Sequence, residues 1–254
     1  MSPITTETDV LVCGGGPAGL LTAYCLSRYG IKTTVIEKYS HVKKVQYGRG
    51  ILLLPRTLEL LDQLDLADAV NQIGFVNRGR GMYKDGKRLP DLPTIITTIQ
   101  DSFFDYTLSC RQRWTEQVIT DAYVKMEQTS LDYGTTLVEL DVRQDGVYST
   151  VETQGGQRIQ IRSKYLVGGD GGQSTVRELA GLPFEGEKSN SRWVRVDGIV
   201  ETDMPEPRAG MSAILSERHG TVLWAPLVRI PNATSALWAV SRCTWRVVHS
   251  RSIL

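Results

Sequence analysis

The chain has 254 residues, enough for one large or two small domains around a substantial core, with 41% of them hydrophobic and 22% charged. Lys and Arg number 29 against 28 Asp and Glu, so no global field draws the chain to nucleic acid or to an anionic membrane. No apolar run approaches the roughly 18 residues of a membrane span, and Met1 to Thr8 lacks the basic-then-apolar order of a secretory signal. Cys13, Cys25, Cys110 and Cys243 form no C-x-x-C pair, which argues against a disulfide framework and against a zinc site, so no metal is expected. That cysteine usage fits a reducing compartment, with the cytoplasm as the default.

The first predicted element is a strand over Asp9 to Cys13. It runs into Gly14-Gly15-Gly16-Pro17-Ala18-Gly19, a helix with apolar Leu20, Leu21, Ala23 and Leu26, and then Gly30. Lys32 to Glu37 reads as a second strand, rich in β-branched residues and closed by a carboxylate. Strand, glycine turn, helix, strand and acid in this order make one βαβ unit suited to a dinucleotide. Gly14 allows the tight turn, Gly16 lets backbone approach a pyrophosphate, and Gly19 lets the helix pack closely on the sheet. Pro17 opens the helix, whose first amides and positive dipole end face the phosphates. Glu37 is placed to meet ribose hydroxyls and to repel a 2′-phosphate, which favours FAD or NAD over NADP.

A polar, basic loop over 38–50 follows, then a helix from Pro55 carrying Leu58, Leu60, Leu61 and Leu64. Asp85-Gly86 between Gly81-Met82-Tyr83 and Arg88-Leu89 predicts a hairpin. A helix over Arg113 to Gln128 is entered through Gln112. Thr135 to Val142, Val147 to Gln154 and Arg158 to Arg162 read as a β-meander. Tyr165 to Gly168 reads as a short buried strand running into Gly169-Asp170-Gly171-Gly172, with a short helix from Thr175. Val194 to Glu201, Met211 to Leu215 and Thr221 to Trp224 suggest a second sheet. From Arg218 to Leu254 there is no Asp or Glu, and beyond about Arg229 the strand-and-turn logic stops. Either a loose basic terminus follows a buried strand, or the natural fold continues past a chain cut short at its C-terminal side. The second is the expectation, because the second sheet looks unfinished.

Leu166 to Arg177 is the second constellation. Its glycines allow close backbone approach, Asp170 can accept a ribitol or ribose hydroxyl, and Arg177 is a fixed cation. By itself the stretch is equally a strand-to-helix connection with Ser174 as N-cap and Arg177 on a solvated face.

Together the N-terminal G-x-G-x-x-G and the later D-G-x-x-S-x-x-R resemble the FAD-dependent aromatic hydroxylases, the single-component flavoprotein monooxygenases of the para-hydroxybenzoate hydroxylase and phenol 2-monooxygenase type. Gly48-Arg49-Gly50 with the helix from Pro55 is similar to a loop and helix of that family, which implies that Arg49 contacts the cofactor near the flavin; otherwise Arg49 is a solvated loop cation. Arg111 to Glu116 resembles its helix entry, which implies a contact of Gln112 with FAD. The likeness runs from about Thr8 to Pro226. A third family motif, a Gly-Asp pair opening a helix beside the flavin, has no counterpart after Arg177.

The resemblance implies an α/β fold in which a Rossmann-like FAD-binding βαβ domain is interleaved with an incomplete β-rich substrate domain. The expected division is 1–75 and 108–182 for FAD, 76–107 and 183–228 for substrate, and 229–254 as an atypical basic tail. It further implies hydroxylation of a phenolic or other aromatic small molecule, with FAD as cofactor, NAD(P)H as co-substrate and O2. Gly14, Gly16, Gly19, Glu37, Arg49, Gln112, Asp170 and Arg177 are the cofactor-binding candidates. No catalytic residue is assigned; His41, His219 and His249 are the only histidines, each as well placed on a surface as in a site. Trp224-Ala225-Pro226 could line a substrate pocket or be core. Two alternatives stay open: a related FAD oxidoreductase (epoxidase, halogenase or prenyl reductase), and a truncated, non-catalytic FAD-binding module. The oligomeric state is also open, a homodimer being one option. Gly172 to Val176 misses the G-x-S-x-G of a hydrolase, and the Y-x-x-x-K at Tyr39 to Lys43 falls where no short-chain dehydrogenase carries it.

Overall fold

The computed structural model describes residues 5–41, 52–90, 101–187, 193–199, 202–205, 207–208, 210–227 and 235–241. In chain order its elements are β1 (Thr5–Cys13), α1 (Pro17–Arg28), β2 (Thr33–Glu37), β3 (Leu52–Leu53), α2 (Pro55–Asp62), α3 (Ala67–Ile73), β4 (Phe75–Asn77), β5 (Gly79–Lys84), β6 (Lys87–Arg88) and β7 (Thr107–Ser109). There follow α4 (Gln112–Tyr123), β8 (Thr129–Tyr133), β9 (Thr135–Arg143), β10 (Gly146–Thr153), β11 (Arg158–Gly168), α5 (Thr175–Leu179), β12 (Trp193–Ile199), β13 (Gly210–Ser216), β14 (Gly220–Pro226) and β15 (Ser235–Ser241). The chain divides into two units, one of Met1–Gly50, Asp62–Val70 and Arg111–Gly186, the other of Ile51–Leu61, Asn71–Cys110 and Glu187–Leu254.

The first unit is a Rossmann-like α/β layer. Its six-stranded sheet runs β8-β2-β1-β11-β10-β9, with β8, β2, β1 and β11 parallel and β10 and β9 antiparallel. Parallel strands are covered on both faces and so read as continuous apolar runs. All five residues of β2 are buried, as are Val10 to Cys13 of β1. One face holds Leu11, Cys13, Ile36, Leu137, Val151 and Ile161 in a single cluster, so the meander of β9, β10 and β11 curls back over the ends of β1 and β2. Val12 on the opposite face meets α1, which packs beside α4 and buries Leu20, Ala23, Tyr24 and Ile119. Each such leucine or isoleucine contributes about 1.5–3 kcal/mol through burial. Tyr123, at the end of α4 and fully buried, lies 2.9 Å from the Thr33 hydroxyl and 3.0 and 3.1 Å from the carbonyls of Thr33 and Ser130. Burial pushes its phenol pKa up, so the hydroxyl keeps its proton and ties the helix to β2 and β8.

The second unit carries a six-stranded sheet, β12-β15-β14-β13-β5-β6, and a three-stranded sheet, β3-β7-β4. The expected hairpin at β5 and β6 turns through Asp85 and Gly86, both at positive φ (45° and 81°), which matches the twist of the flanking strands. Trp224 is fully buried and donates its indole N–H to the Pro207 carbonyl at 2.7 Å. It belongs to the core rather than to a pocket wall.

Several expectations are corrected. The helix expected to reach Gln128 ends at Tyr123 with Val124 as its C-cap; the chain then turns over 124–128, and Gln128, at positive φ (58°), leads directly into β8. Tyr165 to Gly168 is no separate buried strand: it is the end of the eleven-residue β11, with Tyr165 69% exposed. Ser235–Ser241, expected inside a tail without strands, forms β15 between β12 and β14. Residues 51–61 and 71–75 group with the second unit, since β3 and β4 both pair with β7, while 183–186 group with the first.

Candidate cofactor-binding cleft

Three strand ends are stitched together at one edge of the first unit. The Gly14 N–H donates to the Ile36 carbonyl at 2.8 Å, and the Gly169 N–H donates to the Cys13 carbonyl at 2.7 Å. At Gly14, φ is +105° and a Cβ would stand 2.5 Å from the Gly169 carbonyl oxygen. A Cβ on Gly19 would overlap the Gly14 carbonyl oxygen, so the helix sits directly on the turn. Gly16, Gly171 and Gly172 differ: a Cβ on Gly16 would meet only the Gly169 oxygen at 3.9 Å, and those on Gly171 and Gly172 would meet nothing within 4 Å. Bare backbone therefore faces open space on two sides of one hollow.

That hollow is a cleft of about 680 Å³ at the carboxyl ends of β1, β2 and β11, where the strand connections diverge to either side of β1. Its wall includes Gly14, Gly16, Glu37, Gln112, Asp170 and Gln173. The first helical residue of α1 is Pro17, and its N-cap Gly16 supplies no side-chain acceptor. The amides of that first turn carry the positive end of the helix dipole to the cleft.

Glu37 is 5% exposed. Its Oε2 accepts the Gly15 N–H at 2.9 Å and its Oε1 accepts the Tyr39 N–H at 3.0 Å, which fixes the carboxylate against the wall. Gln112 opens α4, and its amide nitrogen donates to Glu116 Oε1 at 2.8 Å. Asp170 spends both oxygens on its own turn: Oδ1 accepts the Ser174 hydroxyl at 2.6 Å and Oδ2 accepts the Val176 N–H at 3.1 Å. Ser174 in turn accepts the Arg177 N–H at 3.0 Å, as the sequence-level N-cap reading expects. Arg177 is not on the cleft wall; its guanidinium donates to the Gly172 carbonyl at 3.0 Å and stacks on Phe184, 4.6 Å from the ring centre.

Of the eight sequence candidates, Gly14, Gly16, Glu37, Gln112 and Asp170 come together on the wall, while Gly19 and Arg177 stand behind it. Arg49 lies outside the described residues. Lys38, Tyr39, Thr135, Thr136 and Gln173 also line the cleft and were not singled out beforehand; their one sequence signal is adjacency to Glu37, to the meander start and to the D-G motif. Cys13 is on the wall as well, but burial, aided by the charge of Asp170, pushes its thiol up to about 12, so it stays a protonated packing group. His41 packs edge-on against Tyr133 at 5.2 Å, and His249 lies outside the described residues. Among the described residues no group of three or more His, Cys, Asp or Glu side chains is arranged to hold a metal, and no helix is long and apolar enough to cross a membrane.

Set against known proteins, the model of the FAD binding domain family matches residues 7–251. The chain belongs to that family. Among curated relatives, the rifampicin monooxygenase of Streptomyces venezuelae is 31% identical over 214 residues, which is 84% of this chain and 41% of the relative. An FAD-dependent monooxygenase of Aspergillus terreus is 27% identical over 234 residues, 87% of this chain and 31% of the relative. This FAD-binding chain thus spans well under half the length of both. Among solved structures, p-nitrophenol 4-monooxygenase PnpA from Pseudomonas putida DLL-E4 superposes with a TM-score of 0.80 at 24% identity, covering 94% of this chain and 58% of that one. The flavin-dependent monooxygenase PieE, solved with FAD and substrate, gives 0.78 at 22% identity, covering 96% and 44%. These likenesses establish the Rossmann-like fold. The two bare glycine turns facing one hollow, the helix N-terminus between them and a fixed carboxylate are a donor and acceptor set that suits the dinucleotide part of FAD.

Proposed function

We propose that this chain is the cofactor-holding part of an FAD-dependent monooxygenase that hydroxylates a phenolic or other aromatic small molecule with NAD(P)H and O2. The observation that carries the reading is the cleft itself, with Gly16 on one wall and Gly171 and Gly172 on the other, offering backbone where a pyrophosphate needs it. The chemistry that bound FAD would supply is acceptance of a hydride and delivery of its electrons to dioxygen.

The protein's own residues bind and orient. Amides of Gly16 and the first turn of α1 hold the pyrophosphate. Glu37, already ordered by the Gly15 and Tyr39 amides, takes a ribose hydroxyl of the adenosine half at no further ordering cost. Gly19 keeps α1 close enough for its dipole to act. Gln112 and Asp170 edge the remaining length of the cleft, Arg177 braces the Gly172 carbonyl from behind, and Arg49 is assigned the flavin side by the family resemblance alone. The substrate is taken to be a small aromatic compound, the setting the cytoplasm, and the assembly, if any, a homodimer.

The test is the visible spectrum of the purified chain after FAD is added and unbound flavin is removed, followed by NAD(P)H oxidation with and without phenols. Retained flavin absorbance with phenol-stimulated oxidation is the expected result. Retained flavin without stimulation by any phenol would point to another FAD oxidoreductase or to a binding module. A colourless protein would remove the cofactor assignment for this chain.

A further inference from the structure

An edge strand invites a further strand, and folded proteins blunt such edges by shortening them, bulging them or placing lysine or proline along them. Among the described residues most sheet edges are blunted in this way. β3 and β6 have two residues each and β4 has three. β8 is short and mostly polar, and β9 ends in exposed Glu139, Asp141 and Arg143 with a bulge in its ladder to β10. β12 differs. Its seven residues contain no proline or lysine and pair with β15 without a register shift. Val194 and Val196 stand 55% and 50% exposed. The register carries Val196 across position 238 of β15 to Trp224 of β14, so both valines lie on the face of Trp224. That face is closed over Trp224, whose indole donates to the Pro207 carbonyl, and open at the valines.

The charges on β12 are balanced: positions 195 and 197, either side of Val196, are an arginine and an aspartate. Residues directly opposite each other in a ladder share a face, so a second copy of β12 continues the sheet antiparallel only about a two-fold axis through a residue. An axis through residue 195 or 197 would set arginine against arginine or aspartate against aspartate, and like charges directly opposite are destabilising. An axis through Val196 sets an arginine opposite an aspartate twice and brings valine onto valine. Axes nearer either end shorten the overlap. We propose that β12 is a docking edge for a second copy of this chain, the two strands pairing antiparallel about Val196 with residue 195 of each copy opposite residue 197 of the other. This rests on the homodimer of the proposed function and not on bound FAD. Arg195 is also engaged within its own chain, and the five N–H donors of a guanidinium let it take a further carboxylate.

Sedimentation velocity of the purified 254-residue protein over a dilution series tests the surface, with circular dichroism as a check on folding. The parent is expected to be a reversible dimer. Arg195→Asp and Asp197→Arg each set like charges opposite one another twice, and each is expected to raise the dimer dissociation constant about 10-fold or more. An equimolar mixture of the two variants restores unlike charges at both positions and is expected to dimerise like the parent, as is the double variant by itself. A contact of Arg195 inside its own chain, lost in Arg195→Asp, is not restored by mixing, so recovery reads the interface alone. Should either charge variant fail to fold, Val196→Lys serves: it sets two cations on the axis, and a monomer is expected at concentrations where the parent is dimeric. A parent dimer that persists in both single variants or in folded Val196→Lys, or a mixture of folded variants that stays monomeric, overturns β12 as the surface. A parent that is monomeric throughout overturns the homodimer and this surface together.

Discussion

The turn after β1 and the turn after β11 both leave a parallel strand, carry glycines and open a helix, yet they are held in place by different forces. The first is held by close packing of backbone on backbone: Gly14 sits against Gly169, and Gly19 against the Gly14 carbonyl. No side chain within the turn takes part, and the one that does, Glu37, comes from the next strand. The second is held by its own side chains, Asp170 binding Ser174 and the Val176 amide, Ser174 binding the Arg177 amide, and Arg177 closing on Gly172. A packed turn tolerates no added atom. A hydrogen-bonded turn loses its shape one bond at a time.

The largest effect expected from that contrast is at Gly19. Gly19→Ala would drive a methyl into the Gly14 carbonyl and is expected to cost about 3 kcal/mol or more of stability, measured by urea unfolding. Gly16→Ala, whose Cβ has room, should stay within about 1 kcal/mol of the parent while losing FAD affinity. If both variants are equally destabilised, packing is not what separates the two positions. Next comes Glu37→Ala, expected to weaken FAD binding about 10- to 100-fold through loss of roughly 1.5–3 kcal/mol. Equilibrium dialysis returning the parent's affinity would take Glu37 out of the site.

On the second turn, Asp170→Ala strips two hydrogen bonds from the start of α5 and is expected to cost about 1–2 kcal/mol, the scale of a lost helix cap, read from the shift in thermal midpoint. A shift too small to measure would mean that Ser174 alone holds the turn. A small change in stability, about 1 kcal/mol, is expected for Arg177→Ala, which removes a bond to an exposed carbonyl and the stacking on Phe184. The family resemblance adds that this variant should slow reduction by NAD(P)H more than it weakens FAD binding. Stopped-flow reduction at the parent's rate would contradict that role.

The same contrast explains what was legible in the sequence. Backbone packing demands glycine itself, so Gly14 and Gly19 stand out by identity, and with Gly16 between them and the β-branched second strand they disclose the βαβ unit directly. Ser174 as N-cap was equally readable. What Asp170 does was not, because an aspartate after a strand looks the same whether it faces a ligand or its own helix, and here both oxygens turn to the helix. β8 escaped notice since Thr129–Tyr133 is a short edge strand, mostly polar and with no buried residue. The break read between Arg162 and Tyr165 came from polar Ser163 and Lys164, yet the ladder to β1 runs on through Ser163 opposite Thr8 and Tyr165 opposite Val10, with the Lys164 side chain 2.7 Å from Asp9. Gln112 was found through resemblance. Its partner Glu116 had no signal beyond spacing.

The place of β11 in the first sheet bears on how the chain assembles. β1 receives β2 on one side through a short connection, but its other side is filled only when Thr5 lies opposite Gln160, so these neighbours in space are far apart in sequence. Until then one edge of a strand whose second half, Val10 to Cys13, is apolar offers unpaired amides and carbonyls, the kind of edge on which other chains add. Non-local pairing of this type is slow relative to local helix formation. During synthesis the βαβ unit thus emerges early and waits, at about 5–20 residues per second, for more than a hundred further residues before its central strand is sheltered. The edge of β1 is therefore the place where aggregation of the nascent chain is expected to start.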